Sequence, residues 1–238
     1  MINSRYQNIM KLSVYLITLL LLLAISACGE SSSSPTPSPS SDPELINLSV
    51  IFADYDAGTG KAGDFDFLAT GTIDAIPFYV FGSPLPSGNL NPTFEYLVNE
   101  DAAILSPITG TVSEIDYRSE HLDYSITIIP SDATDWIVAL DHVLNVSITV
   151  GDIVPAGQQI GTAGTWFGGL GRTELQVINN VNGLSYCPFA VFDSNLKITF
   201  QQKVTNLMNQ WETYINNPDI YDQDSMVYPG CLIESTSG

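Results

Sequence analysis

Short apolar runs separated by turn-forming residues are the feature that most constrains how this chain can fold. Between residues 45 and 200, β-branched and aromatic residues recur in runs, with Gly, Pro, Asn and Asp between them. Such a rhythm is typical of a mainly β domain of the sandwich or barrel type. The predicted strands cover residues 45–52, 78–81, 111–115, 124–129, 136–140, 147–150 and 174–178.

One segment near the C-terminus departs from this rhythm. Its apolar residues recur at the spacing of one face of an α-helix, and Pro218 limits the helix at its far end. We interpret the stripe as core packing. It consists of Phe200, Val204, Leu207, Met208, Trp211, Tyr214 and Ile215.

The N-terminus has the pattern of an export signal. Arg5 and Lys11 give a positive start, residues 12–25 are almost wholly apolar, and small residues lead to Cys28. A secretory signal has these three parts, and the apolar stretch is short for a membrane span. Residues 25–29, Ile-Ser-Ala-Cys-Gly, also resemble the lipobox of bacterial lipoproteins. That resemblance implies cleavage after residue 27 and lipidation of Cys28; the alternative is an uncleaved N-terminal anchor.

Residues 28–43 are expected to form a lipidated tether, because they are rich in Ser and Pro and cannot build a core. Gly29 follows the cysteine, whereas the lipoproteins that the inner membrane retains tend to have aspartate there. The resemblance therefore implies a cell-envelope protein on the outer membrane, facing the periplasm, if the host is Gram-negative.

Charge and cysteine content narrow the function further. The chain has a net charge of −19, and loss of the signal removes two basic residues and no acidic one, which leaves −21. No basic cluster remains, so nucleic acid is excluded as a partner. Cys187 and Cys231 are left once Cys28 is lipidated. A disulfide is expected between them because the exported compartment is oxidising; the alternative is two free buried thiols.

Residues 54–60, Asp-Tyr-Asp-Ala-Gly-Thr-Gly, form an acidic stretch whose composition resembles that of a calcium-binding loop. It fails the EF-hand pattern, since Gly58 stands at the fifth position and Phe65 at the twelfth. We interpret the stretch as a solvated glycine-rich loop.

Residues 104–177 contain four blocks that carry a family signal. The first is residues 104–112, Ile-Leu-Ser-Pro-Ile-Thr-Gly-Thr-Val, and the second is residues 140–142, Leu-Asp-His. Residues 150–164, with Gly151 and Gly157 at tight turns, predict a hairpin whose Val150, Val154 and Ile160 point inward. The fourth block is residues 171–177, Gly-Arg-Thr-Glu-Leu-Gln-Val.

In this order the blocks resemble the lysostaphin/LytM-type zinc endopeptidases, which cut peptidoglycan cross-links and have the duplicated hybrid motif fold. The resemblance covers roughly residues 91–178. Biotinyl and lipoyl carrier domains share the glycine hairpin, but they need an exposed lysine at its tip, and residues 150–164 contain none.

The side chains of the family's zinc site are not kept. The resemblance places Asn91 and Glu95 at the first His-x-x-x-Asp pair of ligands, and Arg172 and Glu174 at the closing His-x-His. Only His142, in the Tyr-x-His strand, keeps its histidine. Zinc at catalytic sites prefers His, Cys and Asp, whereas an arginine stays protonated and cannot act as a base. We therefore expect no bound zinc and no peptidase activity.

Three arrangements of these positions remain open. Arg172 takes the place of the metal as a fixed cation between Glu95 and Glu174; a calcium or magnesium ion lies between the two carboxylates; or all three are surface residues. For His142, the plain alternative is a strand histidine bonded to a neighbour. His121 matches no family position and is expected in a solvated loop.

Three functions follow. The preferred one is a non-catalytic, lipid-anchored LytM-like domain that binds peptidoglycan or a partner hydrolase of the envelope. The alternative is an active metal-dependent endopeptidase with an oxygen-rich site. The third is a structural or carbohydrate-contacting envelope protein, in which Trp166 and Phe167 either stack on sugars or pack onto the C-terminal helix. The expected domains are a signal (1–27), the tether (28–43), an N-terminal β extension (44–90), the LytM-like domain (91–193), and a C-terminal helix with a disulfide-closed tail (194–238).

Overall fold

The structure, a computed structural model, describes residues 41–237. The signal, Cys28 and most of the tether lie outside the described residues. Within the described part, no helix is long and apolar enough to cross a membrane. Residues 41–237 belong to one compact unit.

An antiparallel sheet dominates the structure and confirms the mainly β class. The strands are β1 Lys61–Ala62, β2 Phe65–Asp66, β3 Phe78–Tyr79, β4 Phe94–Asn99, β5 Ala103–Leu105, β6 Gly110–Arg118, β7 Asp123–Pro130, β8 Trp136–Leu144, β9 Ile153–Val154, β10 Gln159–Thr165, β11 Leu170–Asn179, β12 Leu184–Tyr186 and β13 Ser235–Thr236. In the middle of the sheet, the consecutive strands β6, β7 and β8 form a meander.

Strand β11 is the hub of this sheet. It pairs on one side with β10 and, over six residues, with β8, and on the other side with β12 and, over six residues, with β4. Strand β3 extends the β4 side, and β5 pairs with β10. The hairpin of β1 and β2 forms a small sheet of its own. This pairing brings β3, β4, β11 and β8 side by side.

The predicted C-terminal helix is confirmed as α2, Lys197–Ile215. It ends at Asn216, whose left-handed backbone lets Asn217 N–H reach the carbonyl of Glu212. Val204, Leu207, Met208 and Trp211 are buried. A shorter helix, α1, Phe67–Thr72, was not predicted; Asp66 caps it by accepting a hydrogen bond from Ala69 N–H.

Two predicted strands are wrong. Residues 45–52 are buried at alternating and neighbouring positions but form no ladder, because Ser49 adopts a left-handed backbone with φ 68° and breaks the extended run. Residues 147–150 instead lead into a turn, in which Asp152 accepts hydrogen bonds from the N–H and hydroxyl of Thr149. Val150, expected to point inward, is 60% exposed, whereas Val154 and Ile160 are buried as predicted.

The acidic stretch 54–60 is a turn that leads into the β1–β2 hairpin. Asp56 Oδ1 accepts a hydrogen bond from Gly58 N–H, and the hydroxyl of Thr59 lies 3.2 Å from Asp56 Oδ2. The carboxylate therefore closes its own loop, in agreement with the loop interpretation.

The predicted disulfide between Cys187 and Cys231 is present, with a Cα–Cα distance of 6.1 Å. Both cysteines are buried. The bond closes a segment of the chain that contains α2 and fixes the C-terminal tail beside β12. It thereby holds the helix and tail against the sheet.

Aromatic residues fill the core behind β4. Phe78 and Phe94 meet edge to face at 5.0 Å between ring centroids, and Tyr96 stacks on Phe78 at 5.6 Å. Tyr96 is fully buried, and its hydroxyl has no hydrogen-bond partner within residues 41–237. Tyr221 is also buried, but its hydroxyl donates to the carbonyl of Phe78 at 3.0 Å. The two tyrosines form a matched pair that differs in hydrogen bonding.

Replacing each tyrosine by phenylalanine should have opposite effects on stability. Tyr96→Phe removes an unpaired buried hydroxyl and is expected to raise the free energy of unfolding by about 1 kcal/mol. Tyr221→Phe leaves the Phe78 carbonyl without its donor and is expected to lower it by about 1 kcal/mol. Urea unfolding followed by tryptophan fluorescence measures both. A loss of stability in Tyr96→Phe equal to that in Tyr221→Phe would show that the Tyr96 hydroxyl is in fact bonded.

Candidate functional site

A row of polar side chains crosses four neighbouring strands on the face of the sheet opposite the aromatic core. Tyr79 of β3 lies directly opposite Glu95 of β4, Glu95 opposite Glu174 of β11, and Glu174 opposite Asp141 of β8. Residues directly opposite in antiparallel strands point to the same face. We call these four residues the polar row.

Alternation along β11 places Arg172 on the same face of the sheet as the polar row. Thr173, Leu175 and Val177 are buried, while Arg172 and Glu174 are only partly buried and point to the other face. Arg172 Nε lies 2.8 Å from Glu95 Oε1, and its terminal Nη2 contacts Glu174 Oε1. The three side chains are 15–18% exposed. A single guanidinium therefore forms ion pairs with two carboxylates, and all three side chains are largely buried.

The two ion pairs of Arg172 differ in geometry. Its Nη2 donates a hydrogen bond to Glu174. The Nε–H of Arg172 is not aimed at a carboxylate oxygen, although Nε lies close to Glu95. We therefore describe the contact with Glu95 as an ion pair without an aligned hydrogen bond. Trp166 covers the guanidinium, with its ring centroid 4.9 Å from Arg172 Cζ.

His142 reaches the site because of a β-bulge. By alternation along β8 its side chain would face the core, but it has φ 57°, and the register of β7 and β8 shifts at this point. A bulge of this kind re-aims a side chain. Gly164 makes room for it, because a Cβ there would lie 3.1 Å from His142 Cβ. The strand then exchanges β11 for β10 as its partner.

A buried carboxylate orients the His142 ring. Asp123 Oδ2 lies 2.7 Å from His142 Nδ1, and the Asp123 side chain is 2% exposed. On the other side, His142 Nε2 lies 3.5 Å from Glu174 Oε1. Asp123 Oδ1 has no hydrogen-bond partner among the described residues. His142 thus bridges Asp123 and Glu174.

Burial and neighbouring charges set the pKa values of the site. Burial raises the pKa of Glu95, and Arg172 offsets only part of that effect. Burial also acts to raise the pKa of Glu174, but the hydrogen bond with His142 and the charge of Arg172 outweigh it, so the pKa is lowered. Burial acts to lower the pKa of His142, and the bonds to Glu174 and Asp123 outweigh it, so the pKa is raised. The negative charge of Glu174 is therefore better compensated by its neighbours than that of Glu95.

The site includes charged residues that the sequence analysis did not find. Arg118, at the end of β6, pairs with Asp141 Oδ2 at 3.0 Å. His121, expected to be merely solvated, is exposed but its ring lies edge-on to His142, with centroids 4.9 Å apart. Asp123 could not be identified because its partner His142 is distant in sequence and the bulge shifts the register. Asp141 adjoins His142 in the sequence, which was the one available signal.

Asn91 is placed differently from the other family positions. It is buried, and its amide donates to the Val80 carbonyl at 3.2 Å while its Oδ1 accepts from the N–H and hydroxyl of Thr93. Thr93 in turn helps to lower the pKa of Glu174. Asn91 therefore supports the loop before β4 and touches the site only through Thr93. The structure brings Glu95, His142, Arg172 and Glu174 into direct contact.

The residues present do not fit a zinc ion at the family's position. The guanidinium of Arg172 occupies the space between Glu95 and Glu174, and a fixed cation there repels a second one. The same contact argues against calcium or magnesium between these carboxylates. Asp123, Asp141 and His142 also offer atoms within 4.8 Å of one another. However, His142 Nδ1 is held by Asp123, and Asp141 is paired with Arg118.

No protein-family model matches the sequence, and no curated protein matches it. Solved structures of M23 peptidases are similar to part of the chain. Lysostaphin from Staphylococcus simulans is 20% identical, with 44% of this chain and 43% of that chain covered and a TM-score of 0.37. A variant of the catalytic domain of prophage-encoded M23 protein EnpA from Enterococcus faecalis is 21% identical over 47% of this chain and 89% of that chain, with a TM-score of 0.39.

A zinc-containing peptidase from Vibrio cholerae is 13% identical, covers 58% of this chain and 38% of its own, and has a TM-score of 0.37. The chain spans less than half the length of the lysostaphin and Vibrio proteins. At these identities and TM-scores the similarity concerns fold over part of the chain and assigns no activity.

Removing the Arg172 cation should cost more stability than removing Arg118. Arg172→Met leaves Glu95 and Glu174 facing each other and is expected to lower the free energy of unfolding by about 2 kcal/mol, below the roughly 3–5 kcal/mol of a fully buried pair. Arg118→Met is the matched control: its pair with Asp141 is more exposed, so a loss of about 0–1 kcal/mol is expected. Urea unfolding of both variants at neutral pH gives the comparison. Equal losses would contradict the special role of Arg172.

Proposed function

We propose that this chain is a lipid-anchored envelope protein whose LytM-like domain is non-catalytic and contacts peptidoglycan. The observation that carries the proposal is the guanidinium of Arg172 between Glu95 and Glu174. Hydrolysis by the family's route needs a metal ion that activates water. With an arginine in that place, the chain's own residues hold the site in a closed, charge-paired state.

Exposed aromatic side chains beside the site support a binding role. Phe167 is 72% exposed and Trp166, which covers Arg172, is 39% exposed. Aromatic rings offer a large apolar face with little entropy to lose when a ligand stacks on them. Gly168 lies close to Ile73 after α1, which places this loop against the N-terminal segment. The loop therefore presents two rings next to the polar row.

The net negative charge of the chain restricts the partner. Anionic wall polymers are repelled by a chain of this charge. The peptide and sugar parts of peptidoglycan do not carry that penalty to the same degree. A partner hydrolase of the envelope remains the second candidate partner, and an active metal-dependent endopeptidase remains the alternative function.

Sedimentation with isolated peptidoglycan sacculi tests the proposal. The purified full-length protein is expected to co-sediment with sacculi and to release no soluble fragments, with or without added zinc. Phe167→Ala is expected to weaken co-sedimentation about fivefold, as the loss of about 1 kcal/mol of aromatic stacking implies. Val181→Ala is the control, because Val181 is as exposed but lies in the turn after β11, beyond the far end of that strand from Arg172.

Two results would contradict the proposal. Release of fragments by protein that carries stoichiometric zinc would support the endopeptidase alternative. Absence of co-sedimentation, with capture of an envelope hydrolase instead, would move the partner from the wall to that hydrolase.

Lipidation at Cys28 is tested separately. Cys28→Ser should abolish incorporation of radiolabelled palmitate and move the protein from the membrane fraction to the soluble fraction, because acyl chains supply the anchor. Ser32→Ala, in the same tether, should change neither property. A Cys28→Ser protein that stays in the membrane fraction would support the uncleaved N-terminal anchor.

A further inference from the structure

We propose that the polar row continues into an apolar pocket beside Tyr79, and that row and pocket together bind an extended peptide with an aliphatic side chain and a primary ammonium group two residues apart. This inference depends on the proposed wall contact and specifies the chemistry of the ligand. Four observations support this inference: the position of Tyr79, the lining of the pocket, the charge around the pocket, and the spacing between the pocket and Glu95.

Tyr79 is the wall shared by the row and the pocket. It stands opposite Glu95 in the sheet and is half-buried. Burial and the nearby charge of Glu95 raise the pKa of its hydroxyl, so the phenol stays neutral and able to donate a hydrogen bond. Tyr79 also lines the pocket.

The pocket has a volume of about 310 Å³, the lower end of the range for small-ligand sites. Its lining is mostly aliphatic. The apolar residues besides Tyr79 are Ile76, Val80, Pro84, Ile220, Met226 and Leu232. These come from the segment before β4 and from the C-terminal tail, both outside residues 91–178. The disulfide of Cys231 holds the tail in place next to Leu232.

The charge around the pocket favours a cationic ligand. Glu95 shares the Arg172 cation with Glu174, and burial raises the pKa of Glu95 by more than the charges of Arg172 and His142 lower it. Asp222 stands exposed at the pocket lining, and no lysine or arginine lines it among the described residues. An ammonium group that approaches Glu95 from the side of Tyr79 would lie outside the space that Arg172 fills and would add positive charge there.

The spacing favours an extended peptide. Side chains two residues apart in an extended chain point the same way and lie about 7 Å apart. Tyr79 and Glu95 belong to adjacent strands, which lie about 4.8 Å apart, and Tyr79 itself lines the pocket. A peptide that runs across the strands can therefore place one side chain in the pocket and the second at Glu95.

Isothermal titration of the full-length protein with four peptides tests this geometry. The probe is acetyl-Leu-Gly-Lys-amide. Three controls each change one feature: norleucine for the lysine, glycine for the leucine, and acetyl-Leu-Lys-Gly-amide, which changes the spacing. The probe is expected to bind. Loss of the leucine should weaken binding about tenfold or more, loss of the ammonium about tenfold, and the changed spacing should also weaken it. Equal binding of all four peptides would overturn the inference.

Protein variants locate the binding. Ile220→Trp fills the pocket and should weaken binding of the probe about tenfold, whereas Ile198→Trp, on the exposed side of α2, should not. Glu95→Gln should abolish the advantage of lysine over norleucine, and Glu114→Gln, an exposed glutamate of β6, should keep it. Asp222→Asn, which is outside the Arg172 network, should reduce that advantage about twofold to fivefold. Unchanged affinity in Ile220→Trp would place the peptide elsewhere.

The two proposals fail in different ways. If the wild-type protein co-sediments with sacculi and Ile220→Trp does so equally well, the pocket is not the contact and the wall-binding proposal stands. If the peptide binds with the expected pattern but sacculi do not, the ligand chemistry stands and its assignment to the wall is wrong.

Discussion

The shared guanidinium of Arg172 is the interaction on which the rest of the site depends. Glu95 and Glu174 lie directly opposite each other in neighbouring strands, where two carboxylates repel and destabilise the pairing. Arg172, two residues before Glu174 on the same face of β11, forms an ion pair with each of them. The hub strand of the sheet can carry these carboxylates in a partly buried place only because this cation lies between them.

The bulge at His142 extends the same network to a second carboxylate. Without the left-handed backbone there, the imidazole would face the aromatic core, where it would have no charged partner. A left-handed residue other than glycine costs of the order of 1 kcal/mol, and the bonds to Asp123 and Glu174 offset that cost. Both arginines and both histidines of the described part of the chain thus take part in one cluster. The chain has few basic side chains, and these four lie together beside the acidic residues of the site. Their placement indicates that the carboxylates of the site are held in ion pairs.

The sequence predicted the fold class and the C-terminal helix because periodicity reports burial directly. The runs at 111–115, 124–129, 136–140 and 174–178 all lie within longer strands. The predicted strand at residues 45–52 is wrong because one left-handed residue, Ser49, interrupts the mostly apolar run. In the site, the family resemblance put Glu95 and Arg172 near Glu174, but it could not separate Asn91, which turns to Val80 and Thr93. Asp123 and Arg118 depend on the shifted register of β7 and β8, which leaves no mark in the sequence.

A crystal structure of the protein grown in excess zinc chloride, with anomalous data at the zinc edge, tests most directly whether Arg172 has replaced the metal. The guanidinium is expected to stay within about 3 Å of Glu95 and Glu174, with no anomalous peak among Glu95, Glu174 and His142. A zinc peak coordinated by Glu174 and His142, with Arg172 turned out to solvent, would contradict the replacement and restore the endopeptidase alternative.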